Sequence, residues 1–513
     1  MSTSVHPHHV TPLQRQSVAR TLHTPSWLKT EVLGALVVGL ALIPEAIAFS
    51  VIAGVDPQVG LFAAAIMAMT LAVTGGRPAM ISAATGATAL VMAPLVASHG
   101  VNYLIAAVIL AGIFQIVLGA VGFARIMRFV PRSVMVGFVN ALGILLFIPQ
   151  LEELIDVPWA VYPVAAVALL IVFGLPRLTT AVPAPLVAIL VLTPVVVLLG
   201  LNVPTVSDKG KLPDSWPQLI VPDVPYTLET LQIIAPFALT MAVVGIMESL
   251  MTAKLVDDIT DTPSNKTRET WGQGVGNVVS GMFGTMGGCG MIGQTMINVR
   301  ASGARTRIST FLSGVFLLLL VVLLGEIVGT IPMAALAAIM IFVAWATFDW
   351  HSIRPSTLRR MPLSETVVML VTVAVTVATH NLALGVAAGV LAAMIGFARR
   401  VAHVVTVERT VDSPAGADPT SAPTDADDAV ATYRVRGELF FASSNDLYTQ
   451  FRYAEDPATV VIDFSESHIW DASTVAAVDA VTDKYRAHGT TVKIRGLNLP
   501  SRRMRARLSG TMQ

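Results

Sequence analysis

The feature that most limits the fold of this chain is a succession of long apolar stretches between Leu28 and Phe397. A helix needs about 20 apolar residues to cross a bilayer core of about 30 Å, so these stretches leave room for about 14 spans joined by short loops. Only 13% of the 513 residues are charged, against roughly 25% in soluble proteins. The pattern predicts an α-helical protein that crosses the lipid bilayer many times.

Basic and acidic residues alternate between successive loops, and this alternation predicts the orientation of the spans. Arg15, Arg20 and Lys29 precede the first span, and every second loop after it carries arginine, as at Arg77. The first of the intervening loops carries Asp56 instead. Because short basic loops stay on the cytoplasmic side, we expect both termini to be cytoplasmic in an inner-membrane protein.

A polar loop over residues 202–227 divides the spans into two sets of about seven. An odd number of spans in each set makes the second set enter the membrane from the opposite side, which is typical of secondary transporters. We predict a cytoplasmic tail over residues 1–27 and a transport domain over residues 28–400. Its inverted repeats cover residues 28–201 and 228–400.

The composition changes after the last span. Residues 401–428 are rich in Pro, Ala, Ser, Thr and Asp, which predicts a flexible linker. Beyond the linker, β-like runs alternate with a helical pattern, and a basic tail follows. Residues 429–513 are therefore predicted to form a small α/β domain on the cytoplasmic face.

Small residues interrupt the third and tenth spans, at corresponding positions of the two predicted repeats. The third span contains "AATGAT" (residues 83–88) and the tenth contains "GGCGMIGQT" (residues 287–295). A half-helix that starts inside the membrane has unpaired N–H groups and the positive end of its dipole at the break. Two such starts predict a site for an anion between broken helices. The alternative is that small residues only let the helices pack closely.

Two carboxylates, Glu45 and Glu248, stand inside apolar spans. An ionisable residue at membrane depth costs at least about 2.5 kcal/mol, so it usually faces a cavity and has a function. Each is predicted to bind a coupling ion, Na⁺ or a proton, and the alternative is a hydrogen bond for packing alone. Asp257 and Asp258 are interpreted as a solvated helix end, and Cys289 as a small packing residue.

No metal cluster, nucleophilic triad or phosphate loop stands in the sequence, so we expect neither an enzyme nor a metal site or organic cofactor. The histidines of the N-terminal tail, His6, His8 and His9, lack neighbouring Cys, Asp or Glu residues and are interpreted as an exposed tail. No block of Lys and Arg predicts a nucleic-acid partner.

Several segments resemble the sulfate permease (SulP) family of anion transporters. They are "IPEAIAFSVIAGVDPQVGLFAA", "GGRPAMISAATGATALVM", "ALTMAVVGIMESL" and "GQGVGNVVSGMFGTMGGCGMIGQTMINVRASGART". The segments "VRGELFFAS", "VVIDFS", "WDAST" and "VKIRGL" are similar to the STAS domain that follows the membrane region in this family. The resemblance covers nearly all of the chain from Leu28 onward.

The resemblance implies two inverted repeats, a core domain that moves against a gate domain, and a homodimer. It also implies an anion held between the starts of the third and tenth half-helices, with Glu45 and Glu248 beside it. Carried over by position, the substrate-binding residues are Ala84, Thr85, Gly86 and Ala87 in the first repeat, and Ile292, Gly293, Gln294 and Thr295 in the second.

This chain departs from the family pattern at two places. Many members have "FSR" where this chain has Ile292, Gly293 and Gln294, and many have glutamine in place of Glu45. The site is therefore less positive than usual, and our hypothesis is that Glu45 or Glu248 binds a proton or Na⁺ with the substrate, which makes the protein a symporter.

The expected function is secondary transport of a small inorganic or carboxylic anion by alternating access. Sulfate, bicarbonate and dicarboxylates remain open as substrates. The alternatives are a nucleobase permease of the same architecture and a membrane-anchored signalling protein whose output is the STAS domain.

Ser473 stands where related bacterial STAS regulators carry a phosphorylated serine at a helix start. A phosphate there would suit the positive end of the helix dipole, and a cytoplasmic partner could then recognise the domain. The alternative is that Ser473 is only the N-cap of the helix.

Overall fold

The computed structural model describes residues 17–125, 130–178, 183–402, 405–412 and 429–510. Residues 1–16 of the predicted tail, with its histidines, and residues 413–428 of the predicted linker lie outside the described residues. The chain divides into two compact units, Met1–Val390 and Leu391–Gln513.

Apolar helices make up most of the first unit. In its first half they are α1 (Val18–Leu22), α2 (Pro25–Ala53), α3 (Pro57–Thr74), α4 (Gly86–His99), α5 (Val101–Ala120), α6 (Arg132–Glu152), α7 (Val161–Leu178) and α8 (Ala184–Leu198). The second half begins with α9 (Leu228–Thr260), α10 (Lys266–Met282), α11 (Ile292–Met296), which continues as a π-helical turn (Ile297–Ala301), and α12 (Arg307–Leu323). It continues with α13 (Gly325–Gly329), α14 (Met333–Thr347), α15 (Pro355–Arg360), α16 (Leu363–Thr379) and α17 (Leu382–Ala402).

Among the described residues, seven helices are long and apolar enough to cross a membrane. Five shorter apolar helices of 10 to 17 residues accompany them, and α4, α8 and α12 are three of these. The prediction of an α-helical protein with many membrane spans is confirmed.

Two short strands, β1 (Ser82–Ala83) and β2 (Cys289–Gly290), pair antiparallel at the breaks predicted in the third and tenth spans. The N–H of Met291 donates to the C=O of Ile81 at 2.8 Å and extends the pairing by one bond. Backbone groups inside a bilayer must find partners within the protein. The strands supply those partners where the helices are interrupted, and α4 and α11 start just beyond them.

Helix α10 is the least apolar of the predicted spans, and several of its polar side chains are buried and form hydrogen bonds. Gln273 donates from Nε2 to Ser82 Oγ at 2.8 Å, and Asn277 donates from Nδ2 to Gln115 Oε1 at 2.9 Å. Asn277 also accepts from the N–H of Gly288 at 2.8 Å and donates to its C=O at 3.0 Å. The polar residues of α10 thus hold the chain around both short strands, which explains its weak hydropathy.

The second unit contains a four-stranded sheet in the order β3-β4-β5-β6. Its elements are β3 (Thr406–Asp412), β4 (Val430–Leu439), α18 (Phe441–Leu447), β5 (Thr459–Ile469), α19 (Ala472–Ala487), β6 (Thr491–Arg495) and α20 (Leu499–Leu508). Strand β3 is antiparallel to β4, and the β4–β5 and β5–β6 pairs are parallel. Val475, Val478 and Val481 recur at helical spacing on α19 and join Tyr433 and Ile462 in the apolar core.

Two predictions for this unit are corrected. Thr406–Asp412, assigned from the sequence to the linker over residues 401–428, forms the edge strand β3 and pairs along its length with β4. The segment interpreted as a basic tail forms helix α20, whose Ser501 is buried and accepts from the N–H of Ile469 at 2.9 Å. Both segments are polar because one of their faces is exposed, and sequence composition does not separate such a face from a linker or a tail.

Asp456 anchors the core of the second unit through a buried carboxylate, whose side chain is 0% exposed. It accepts from the hydroxyls of Tyr433 and Tyr485 and from Arg409, whose guanidinium lies 2.7 Å away. Burial and the bond to Asp456 raise the pKa of the Tyr485 hydroxyl well above its ordinary value. The side chain of Asp456 therefore links β3, β4 and α19.

Asp456→Ala is expected to destabilise the second unit by about 3 kcal/mol, because it leaves two buried tyrosine hydroxyls without their acceptor and removes the ion pair with the partly exposed Arg409. The matched control is Asp483→Ala, which removes an exposed pair with Arg486 and is expected to change stability by less than about 0.5 kcal/mol. Hydrogen exchange of peptides from residues 430–510 in the full-length protein measures both effects. Equal protection from hydrogen exchange in the two variants would contradict the stabilising role of Asp456.

Candidate functional site

A cavity of about 540 Å³ lies beside the starts of α4 and α11. Its walls come from α2, α4, α6, α9, α11 with the π-helical turn after it, and α14, together with the end of α7 and the start of α8. Most of the lining is apolar, and its polar side chains are Glu45, Thr85, Glu248, Gln294 and Thr347. Among the described lining residues none is Lys, Arg or His. A cavity of this size and composition is typical of a small-molecule site.

In the first repeat, the structure brings Thr85 and Gly86 to the cavity, whereas Ala84 and Ala87 are buried and do not line it. Thr85 is the N-cap of α4 and accepts from the N–H of Thr88 at 3.4 Å. A Cβ on Gly86 would lie 2.3 Å from Leu146 Cδ2 on α6. Leu146 therefore packs directly on the start of this half-helix, which explains why the position has no side chain.

In the second repeat, Ile292, Gly293 and Gln294 line the cavity, and Thr295 does not. Thr295 is fully buried, and its Oγ1 accepts from the N–H of Ile81 at 3.0 Å. Its hydroxyl thus supports the strand junction. No side chain caps the start of α11, in contrast to the start of α4.

Glu45 and Gln294 form a pair across the cavity wall. Gln294 donates from Nε2 to Glu45 Oε1 at 2.8 Å, which joins α11 to α2. The Oε1 atom of Gln294 is buried without a hydrogen-bond partner, and the residue is only 2% exposed. When Glu45 is ionised its oxygens only accept, so in that state the amide presents its NH₂ group to Glu45 and keeps its oxygen free.

Glu248 is held by a residue that sequence reasoning did not assign to the site. The thiol of Cys289 donates to Glu248 Oε2 at 2.9 Å, and its Sγ lies 3.1 Å from Thr85 Oγ1. Cys289 therefore connects α9 with the start of the half-helix of the other repeat. The only signal in the sequence was its place within the glycine-rich break.

Asp257 is not the solvated helix end that we predicted. Its side chain is 18% exposed and forms ion pairs with Arg77 at 3.0 Å and with Lys266 at 2.7 Å. Arg77 also donates to the C=O of Thr262 at 2.6 Å. The network joins the loop after α3 to the loop after α9, which local sequence could not show.

Two further buried carboxylates went unassigned from the sequence, and both bind backbone amides. Glu31 accepts from the N–H groups of Thr306 and Ser309, each at 3.0 Å, at the start of α12. Glu269 accepts from the N–H groups of Gly76 and Arg77 at 2.7 and 3.0 Å. Their charges are satisfied by donors within the protein, and neither lines the cavity.

Ser473 is exposed at the second residue of α19. The N-cap of this helix is Asp471, whose side chain accepts from the N–H of Thr474 at 3.0 Å. The alternative interpretation of Ser473 as the N-cap is therefore wrong.

Comparisons with known proteins agree over most of the chain. A model of the sulfate permease family matches residues 28–168 and 155–372, and a STAS domain model matches residues 421–510. The putative sulfate transporter YbaR of Bacillus subtilis is 46% identical over 475 residues, which cover 93% of this chain and 96% of YbaR. The bicarbonate transporter BicA of Picosynechococcus is 26% identical and is matched over 90% of this chain and 88% of BicA.

Solved structures give the same fold. The transmembrane domain of a cyanobacterium bicarbonate transporter BicA has a TM-score of 0.62 at 26% identity, over 71% of this chain and 97% of that domain. The murine anion transporter Slc26a9 in its inward-facing state has a TM-score of 0.77 at 15% identity, over 98% of this chain and 92% of that one, which shows the fold alone. These relatives are transporters, so the expectation that the chain is not an enzyme is confirmed.

Proposed function

This chain belongs to the sulfate permease family of membrane anion transporters, and we propose that it moves a small anion by secondary active transport with alternating access. The observation that carries the proposal is the shared cavity. It brings together the starts of two half-helices from different repeats, Thr85 and Gly86 from one and Ile292 to Gln294 from the other, beside Glu45 and Glu248. The half-helix starts supply N–H donors for an anion, and the carboxylates supply a place for a coupling cation.

A second cavity supports alternating access. It measures about 330 Å³ and is lined by other turns of the same helices α2, α4, α6 and α14, for example at Ile52, Leu90 and Gln150. Phe49 and Leu146, which line the first cavity, both pack against Gly86. A small movement of α6 and α14 against α2 and α4 would separate this contact and connect the bound anion to the other cavity.

Coupling is assigned to Glu45 or Glu248, with a proton or Na⁺ as the partner ion. Glu45→Gln is expected to keep the fold, because a glutamine oxygen can still accept from Gln294, but to remove the charge. Uptake of labelled bicarbonate and sulfate into proteoliposomes, measured against pH and Na⁺ concentration, is expected to lose its cation dependence. The matched control is Glu326→Gln, at an exposed carboxylate on α13; cation dependence that survives in Glu45→Gln would contradict the role of Glu45.

The proposed setting is an inner membrane with both termini on the cytoplasmic side, in a homodimer. The distribution of arginine among the loops supports this orientation, and the exposed Ser473 at the start of α19 supports a phosphorylation site on the STAS domain. A cytoplasmic partner that distinguishes Ser473→Asp from Ser473→Ala in a pull-down with the full-length protein would test the regulatory part. Cross-linking in native membranes would test the dimer.

A further inference from the structure

The cavity presents hydrogen-bond acceptors where a site for a bare dianion would need donors. Of the side chains described in its wall, Glu45 and Glu248 are the ionisable ones, and both carry acceptor oxygens. A fixed cation from Lys, Arg or His is lacking in that described wall. In a mostly apolar wall, repulsion between a carboxylate and a dianion is weakly screened and is twice that for a monoanion.

Gln294 adds an acceptor that nothing in the described structure satisfies. Its amide nitrogen is committed to Glu45 at 2.8 Å, and its Oε1 is buried without a donor. A buried unsatisfied acceptor is destabilising, so its persistence in the cavity wall indicates a ligand that donates to it. The carboxylate of Glu248 also has acceptor capacity to spare, since the thiol of Cys289 is its one described side-chain donor.

We propose that the transported substrate is a monovalent oxyanion that carries its own O–H group, and that the sulfate dianion is a poor ligand. The O–H group donates to Gln294 Oε1, while the acceptor oxygens of the anion face the N–H groups at the start of α4. This inference rests on the proposed function, and it narrows the substrate class of the same site. Bicarbonate and the hydrogen form of a dicarboxylate share this chemistry.

Bicarbonate and nitrate provide a matched pair of probes. Both are planar monoanions of similar size, and they differ in the O–H group. A site that hydrogen-bonds a substrate hydroxyl rejects an analogue without it, because its buried polar atom stays unpaired. We expect the purified full-length protein to bind bicarbonate at least about tenfold more tightly than nitrate in titration calorimetry, and sulfate to bind more weakly still.

The same titrations include hydrogen succinate in mildly acidic buffer and uracil, each in sodium and in choline buffer. Tight binding of hydrogen succinate with weak binding of bicarbonate would identify the dicarboxylate as the source of the O–H group. Sulfate binding as tight as bicarbonate binding, in either buffer, would overturn the inference. If this tight sulfate binding required Na⁺, it would show that Gln294 Oε1 binds a cation and not a substrate hydroxyl. Binding of uracil without any anion would overturn the proposed function itself.

Two variants separate the amide from the rest of the cavity. Gln294→Met removes the free acceptor, so the preference for bicarbonate over nitrate is expected to disappear. Gln294→Arg supplies a donor and a fixed charge beside Glu45, so sulfate binding is expected to improve relative to bicarbonate. The matched control is Gln58→Met, outside the cavity lining. A preference for bicarbonate over nitrate that survives in both Gln294 variants would contradict the role of Gln294 Oε1 as acceptor of the substrate hydroxyl. If a variant does not fold, the titrations of the wild-type protein still test the proposed substrate class.

Discussion

Glu248→Gln is expected to reduce anion uptake by about 30-fold or more while the protein remains folded. Glu248 lies in the cavity wall on α9 and accepts from the thiol of Cys289, which lies in β2 at the break before α11. Glutamine keeps a carbonyl oxygen for the thiol but cannot carry the charge. The expected loss follows from the proposed role of Glu248 in ion coupling and from the weak screening of charges in the cavity.

The matched control is Glu229→Gln, at an exposed carboxylate in the first turn of the same helix. Uptake into proteoliposomes is measured together with thermal unfolding of each purified variant. Wild-type uptake in Glu248→Gln would show that this carboxylate only packs α9 against the strand junction.

Gly288→Ala is expected to prevent correct folding of the strand junction and to lower the free energy of unfolding by at least about 3 kcal/mol. A Cβ at this position would lie 1.9 Å from the backbone oxygen of Ala83 and 2.4 Å from its carbonyl carbon. Backbone atoms of a paired strand cannot move aside as the end of a side chain can. The pairing of β1 with β2, and with it the position of both half-helix starts, depends on this close approach.

Gly293→Ala provides the control within the same break. A Cβ there meets nothing within 4 Å, and alanine in a helix is more favourable than glycine by about 1 kcal/mol. We expect this variant to purify as a monodisperse protein with an unchanged or higher thermal transition, and Gly288→Ala to aggregate or to unfold at a markedly lower temperature. A wild-type transition in Gly288→Ala would contradict the packing at the junction.

The membrane spans were predictable because each helix satisfies its backbone hydrogen bonds within itself, so local composition is enough to locate it. The breaks near residues 84 and 290 were also predictable from local composition, because small residues there interrupt two otherwise apolar segments. The paired strands that replace the helix at those breaks join residues more than 200 positions apart, as the pair Ala83 and Cys289 shows. Local sequence carries no signal for such a pairing.

The errors have the same cause. Asp257 is polar and stands at a helix end, so it was predicted to be solvated. Its ion pairs with Arg77, 180 residues away, and with Lys266 at the start of α10 leave its side chain only 18% exposed. Thr406–Asp412 has two apolar residues, Val407 and Val411, in a polar and charged context, and its partner strand β4 lies beyond the predicted linker.

The sequence by itself determined that the chain spans a membrane, that two carboxylates stand among its apolar helices, and that small residues break the third and tenth spans. Each of these is a property of neighbouring residues. Only the tertiary structure decided that Cys289 donates to Glu248. It also decided that the amide nitrogen of Gln294 donates to Glu45, 249 residues away, and that the amide oxygen has no partner. Hydrogen bonds between distant segments depend on how the helices pack, and they determine which polar atoms remain available to a ligand.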